Sequence, residues 1–417
     1  MGLRRRGVLS LLGGSLLTGI AAGSVSSTAT QETNISELSG SGTEADPYVV
    51  TTASELQAIN DDLAAHYELD GDIDASATAE WNGGDGFKPI GSTETEFTGT
   101  FDGHNHTITG LTIHRSEGGS LFHTINNATI ERVSLTDVEI QDGAGGAGLV
   151  GVSRTGTIRD VSVSGTVTGE QLAAGVAVHN VEGGTISEAS AAGDIECIDA
   201  VAGGVVGVNH SEATIEKSSS EATVTGGQTA GGLVGVNANR AQIRDSYAVG
   251  DVTSDLIAGG LVGGNTGEAT ISKTYAANTV AAGDMVGGLL GYNTQNAIIS
   301  ASYWDTNLTD GPGVFDQQAD SEVTGLTTAE MQGESATETM AELDFESTWA
   351  PVTEDYPKLE TSNTTVNISK YINDNNVIGT DGLNTAVADY LKGHLTSEQF
   401  NTVVSFYLSG ESVSHTF

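Results

Sequence analysis

Between residues 120 and 304, short apolar runs return at a fixed distance along the chain. AGGVVGVN at 202–209 recurs as AGGLVGVN at 230–237, AGGLVGGN at 258–265 and VGGLLGYN at 286–293, each 28 residues after the one before. Weaker copies begin near Gly145 and Ala173, and SLFHTINNATIERVSL at 120–135 keeps the register, giving about seven units. A fixed period over that many units marks a stacked array, in which each unit completes its core only against its neighbours.

Within a unit, the apolar run is followed by a polar turn, an isoleucine, a bend and two further β-like runs, as in QIRDSYAVGDVTS at 242–254. Glycines such as Gly232, Gly235 and Gly250 mark the breaks. No unit carries the long 3.6-period stripe of an amphipathic helix, which excludes helical solenoids. The pattern predicts an all-β solenoid, a parallel β-helix of 28-residue coils with three short strands to each coil.

Stacking would place equivalent residues of successive coils roughly 4.8 Å apart, so each column of the repeat becomes a row in the fold. Ile130, Ile158, Ile186, Ile215, Ile243, Ile271 and Ile299 form the column expected to face inward. Asn180, Asn209, Asn237, Asn265 and Asn293 form another, and stacked asparagines can hydrogen-bond along the axis. The two positions after each isoleucine carry charge. In register, Glu131 would meet Arg159, Arg132 would meet Asp160, Glu188 would meet Lys217, Glu216 would meet Arg244, and Lys217 and Lys273 would flank Asp245. Such pairs contribute roughly 0.2–1 kcal/mol each and less in salt, so their expected role is to set register. A last column, Tyr247, Tyr275 and Tyr303, lies between inward positions and is expected on the outer face. A flat row of rings could stack on sugars, or the rings could stack on one another.

The flanks lack the repeat. Thr52-Ala53-Ser54-Glu55 is a capping box that predicts a helix to about Ala65, with Leu56, Ile59 and Leu63 at helical spacing, suited to covering the open end of the solenoid. Residues 305–360, with Pro312, Pro351 and Pro357 and no period, are expected to close the other end. The domain order is therefore a signal segment (1–29), an N-terminal cap with the first coils (40–118), the repeats (119–304), a C-terminal cap (305–360) and a small helical module (367–410).

Charge and address sharpen this picture. MGLRRRGVLSLLGGSLLTGIAAG sets Arg4, Arg5 and Arg6 before a short apolar run ending in small residues, the layout of a signal for the twin-arginine route. No second apolar segment could span a bilayer, so no membrane insertion is expected once the signal is removed. Removal leaves 12 basic residues against 55 acidic ones, a net charge of about −43. Self-repulsion on that scale is screened within a few Å at molar salt, and the composition points to a salt-loving archaeon. It argues against nucleic acid or an anionic membrane as partner. Cys197 is the only cysteine, so no internal disulfide supports the fold. Sequons at Asn34, Asn127, Asn307, Asn363 and Asn367 allow glycosylation.

GGLVGVN followed by I-x-x-S-Y-A-x-G-x-V resembles the GLUG motif of bacterial and archaeal surface proteins, some of them adhesins and immunoglobulin A proteases. GTEADPYVVTTASELQAI (43–59), FTGTFDGHNHTITGLTI (97–113) and SYWDT with GLTTAEM look like the lead-in and exit of such solenoids, so the resemblance covers about residues 40–360. It implies a right-handed coil and settles no activity. The tail resembles a dockerin or half EF-hand module with a helical hairpin. Asn373 and Asn375 fall at ligand positions of its loop, but Tyr371 and Gly382 replace the first acid and the closing glutamate, which leaves calcium binding unsupported.

Asp102, His104 and His106 in TFDGHNHTITG would converge like metal ligands on one straight strand. Asp102-Gly103 is a turn signal, however, so a corner is expected there and a fold role for the histidines. The chain has no HExxH helix and no Gly-x-Ser-x-Gly elbow, and no cofactor is called for. Carboxylates that could serve a polysaccharide lyase or hydrolase, Asp160, Glu188, Glu216 and Asp245, are interleaved with Arg and Lys, as in a structural ladder. The expected function is non-catalytic: an exported surface or secreted protein that binds glycans or cell-wall proteins, with a possible protein partner for its C-terminal module. A polysaccharide-degrading enzyme is the alternative, and a purely structural envelope component the third.

Overall fold

The computed structural model describes residues 33–294, 296–317, 321–360 and 383–386. The signal segment, Asn363, Asn367, the loop carrying Tyr371, Asn373, Asn375 and Gly382, and the helical hairpin expected at 387–410 lie outside them; of the C-terminal module only a short helical stretch at 383–386 is described.

The chain winds into a parallel β-solenoid of about eight coils. A typical coil runs along a long face (Thr185–Cys197), crosses a three-residue strand (Val201–Gly203), and returns along a five-residue strand (Val206–His210). Each strand pairs in parallel with its equivalents in the coils before and after, and the isoleucine column holds register from Ile130 through Ile158, Ile186, Ile215, Ile243 and Ile271 to Ile299. In the lead-in the same row is filled by Tyr67 and Phe101. These side chains are buried, together with Leu233, Val234, Leu261 and Val262 of the apolar runs, so the core is a continuous apolar column on the solenoid axis.

The paired glycines of AGGLVG are required by close backbone approach. A Cβ on Gly204 would lie 2.1 Å from the Gly232 carbonyl oxygen of the next coil, and one on Gly203 would lie 2.0 Å from Val206 O. Any side chain at either position would push the coil apart.

The capping box forms as expected: Thr52 accepts from Glu55 N at 3.2 Å, and the Glu55 carboxylate accepts from Thr52 N at 3.1 Å. The helix is shorter than its spacing suggests, covering Ala53–Ala58 before a tight turn at Ile59–Asp61. Asn60 accounts for the early stop, because its side chain donates to Pro89 O and accepts from Gly91 N, which turns the chain toward the strand His66–Leu69. Leu56 and Ile59 still reach the core, and Leu63 packs against it.

At the other end, strands Val314–Gln317 and Ser321–Leu326 add to the faces of the coil, and two short helices and the hairpin Trp349–Val352/Asp355–Leu359 follow. Among the described residues no helix is long and apolar enough to cross a membrane.

Candidate binding surfaces

The asparagine column is the most regular polar feature of the fold. Nδ2 of Asn180, Asn209, Asn237 and Asn265 donates to Oδ1 of the asparagine one coil on, at 2.9–3.0 Å. Each of these amides also donates to a carbonyl four residues ahead, and Asn293 donates to Ala297 O at 3.1 Å. The side chains are fully buried, so they close the turn and tie the coils together in one place.

The charged columns assemble only in part. Arg159 Nε meets Glu131 at 2.6 Å, and Arg244 pairs with Glu216. Arg132 binds the Asp102 carboxylate. Among the described residues no ion pair joins Lys217 to Glu188 or to Asp245, or Lys273 to Asp245. This second column lies at a turn of the backbone. Arg132, Asp160, Glu188, Lys217, Asp245 and Lys273 all have φ between 47° and 54°, a left-handed corner that sequence spacing does not reveal. A second charged row was missed in the sequence. At the turn after the asparagines, Arg154 contacts Glu96 and Glu182, and Arg240 contacts Glu212 at 2.6 Å.

Behind the left-handed corner lies a hydroxyl row. Oγ of Ser218, Ser246 and Ser302 each donates to the carbonyl two residues back at 2.8 Å, and Ser246 Oγ accepts from Ser218 N. The recurring I-x-x-S was the signal for it in the sequence.

The tyrosines stand on the outer side of the long face but are not exposed there. Tyr247, Tyr275 and Tyr303 are at most 5% exposed, because Met331, Ala336, Met340, Leu343 and Trp349 pack over them in a second apolar core. Tyr247 and Tyr275 stack on each other at 5.0 Å with planes 5° apart. Tyr275 Oη donates to Pro357 O at 2.6 Å, and Lys358 sits over the Tyr247 ring while bonding Glu221. The expected row of free rings is therefore the seat of the C-terminal segment. Burial pushes the Tyr247, Tyr275 and Tyr303 hydroxyls above the usual phenol range.

The stretch TFDGHNHTITG bends at His104 and Asn105, both at positive φ. The Asp102 carboxylate is shared by Arg132 and His104, whereas His106 turns to Asp72 at 3.4 Å. The three side chains do not converge, and among the described residues no group of three metal-ligating side chains could hold an ion.

Open depressions among the described residues include two that several coils line. One follows the turns across four coils and is lined by Glu182, Glu212, Arg240 and Glu268 among others. The other, of about 500 Å³, lies where the long face ends, with Asp85 of the lead-in at one side and Arg115, Gln141, Thr168, Glu170 and Ile198 contributed by successive coils. Asp142, also in its lining, is committed to the fold, since its carboxylate accepts from the amides of Gly119, Ala144 and Gly145 at 2.6 Å.

Solenoid, ladder and 28-residue repeat together define a parallel β-solenoid with GLUG-type coils. The GLUG motif model matches residues 226–253, and the model of the M26 IgA1-specific metallo-endopeptidase N-terminal region matches residues 44–165. Halomucin of Haloquadratum walsbyi is 40% identical over 145 residues, which cover 33% of this chain and 2% of that protein. A candidate Gly-rich membrane protein of Evansella cellulosilytica is 33% identical over 131 residues, 30% of this chain and 15% of that one. The chain thus spans a small part of the length of either relative. A crystal structure of a candidate immunoglobulin A1 protease from Bacteroides ovatus has the same fold, with a TM-score of 0.52 and 18% identity over 77% of this chain and 94% of the other.

Proposed function

We propose that the protein is an exported, salt-adapted component of the cell surface whose solenoid is a rigid, non-catalytic scaffold for binding glycans or cell-wall proteins. The observation that carries this reading is the unbroken asparagine ladder, which holds successive coils in one register and gives the outer faces a fixed geometry. The twin-arginine layout and the acidic surface support export and high salt. The names of the two relatives, a halomucin and a membrane protein, support a surface location.

The test is to incubate the exported protein at molar salt with a panel of polysaccharides, recording both binding and the release of reducing or unsaturated ends. Binding without product is expected. Product that persists through repurification overturns the reading in favour of a polysaccharide-degrading enzyme, whose site would be sought in the groove that holds Asp85 and Glu170.

A further inference from the structure

Arginine is scarce in this chain, and nearly every described copy is occupied. Arg132, Arg154, Arg159, Arg240 and Arg244 each contact a carboxylate. Arg115 does not. Among the described residues the only partner of its side chain is Phe87 O, which accepts from Nε at 3.2 Å. That bond fixes the guanidinium plane and leaves the two Nη groups without a protein acceptor. Those groups form the edge that binds a carboxylate through parallel hydrogen bonds. Asp85, Asp142 and Glu170 line the same groove, but Asp142 is committed to backbone amides and none of the three pairs with Arg115, so in a protein of net charge −40 this half-buried arginine is a place to receive a carboxylate from outside.

Arg115 lines the groove of about 500 Å³ at the end of the long face. Beside it stand the hydrogen-bonding side chains of Ser116, Gln141 and Thr168 and the acids Asp85 and Glu170, with Ile198 exposed. These residues come from successive coils, spaced roughly 4.8 Å apart, so the groove suits an elongated ligand with ring-sized repeats. A peptide would seek a free strand edge. Among the described residues there is none at this place, because Thr112–Arg115, Thr129–Asp142, Thr157–Gly169 and Thr185–Cys197 pair in sequence and the backbone of Asp85–Phe87 bonds the outer edge of Thr112–Arg115. At molar salt screening acts within about 3 Å, so the protein's net charge does not repel an anion at a distance while a contact pair at Arg115 survives.

We propose that this groove is a subsite for an acidic saccharide, with Arg115 holding a uronate carboxylate and the polar side chains of the following coils receiving its hydroxyls. The proposal rests on the binding role argued above and narrows it to a ligand class. It is tested by titrating a galacturonate tetrasaccharide into the full exported protein at about 2 M KCl, beside its neutral galactose counterpart and a tetraglutamate peptide. The uronate is expected to bind, and Arg115→Gln to weaken it at least about tenfold at unchanged melting temperature. Glu170→Gln should hold or tighten binding, and Arg115→Lys should recover only part of it. Uronate binding that Arg115→Gln leaves intact, no uronate binding by folded protein, or a preference for the peptide overturns the proposal. If the neutral saccharide binds and the uronate does not, the ligand class falls and the binding role stands. If no panel glycan or cell-wall protein binds, the role itself falls.

Discussion

At the scale of single residues, polar side chains do two different jobs in this solenoid. Buried amides and hydroxyls hold the coils in register, whereas most charged side chains stay half in solvent, where an ion pair adds little. Asn237 is central to the first group, donating to Asn265 and accepting from Asn209 while fully buried. Asn237→Ala should therefore strand the buried Asn265 Oδ1 and cost roughly 1–3 kcal/mol, while Asn209 Nδ2 keeps its two carbonyl acceptors. Arg240→Gln, at a side chain 65% exposed, should stay within about 0.5 kcal/mol. Denaturant unfolding of both variants at molar salt checks the contrast, and equal costs would show that the ladder contributes no more than the surface. The asparagine ladder was legible in the sequence because its residues recur at one spacing. Of the charged ladder, the pairs Glu131–Arg159 and Glu216–Arg244 were legible, whereas the pairs expected of Lys217 and Lys273, at a left-handed corner, are not formed among the described residues.

At the scale of elements, the C-terminal segment is latched to the side of the coil through the tyrosine column. Tyr275→Ala should remove a fully buried ring and its bond to Pro357, at a cost of about 3–5 kcal/mol borne by the latch. Trp349, which packs at 5.6 Å from that ring, is expected to report release by a red-shifted fluorescence, with residues 327–360 becoming sensitive to protease while the coils stay resistant. Alkaline pH should do the same without a mutation. The folded-state pKa values of Tyr247, Tyr275 and Tyr303 are raised above the unfolded phenol value of about 10. Their contribution is full below that pH and is lost as pH climbs through the folded-state values. Fluorescence followed from pH 8 upward at molar salt checks this, and a latch that holds as firmly above pH 11 as at pH 8 would contradict it. The spacing of Tyr247, Tyr275 and Tyr303 showed the row and its outward direction. What covers it could not be read, because residues 327–360 carry no period that ties them to a face.

At the scale of the whole molecule, an axial apolar core and −40 of net charge oppose each other. Screening weakens the repulsion between coils, so the melting temperature should climb as KCl is raised from about 0.1 M to about 2 M, where the Debye length falls from about 10 Å to under 3 Å. A calorimetric series in KCl measures it, and a flat response would mean that the carboxylates are too well dispersed to strain the fold. The sequence by itself determined the coil, its 28-residue period, the inward isoleucines, the asparagine ladder and the capping box, because each is a local pattern repeated in register. Only the tertiary structure decided that the tyrosines are covered, that the second charged column is a row of corners, and that Arg115 faces a groove whose acids, Asp85, Asp142 and Glu170, form no ion pair with it. Those outcomes depend on what packs across coils and against the flanks, where neither period nor spacing constrains the partner.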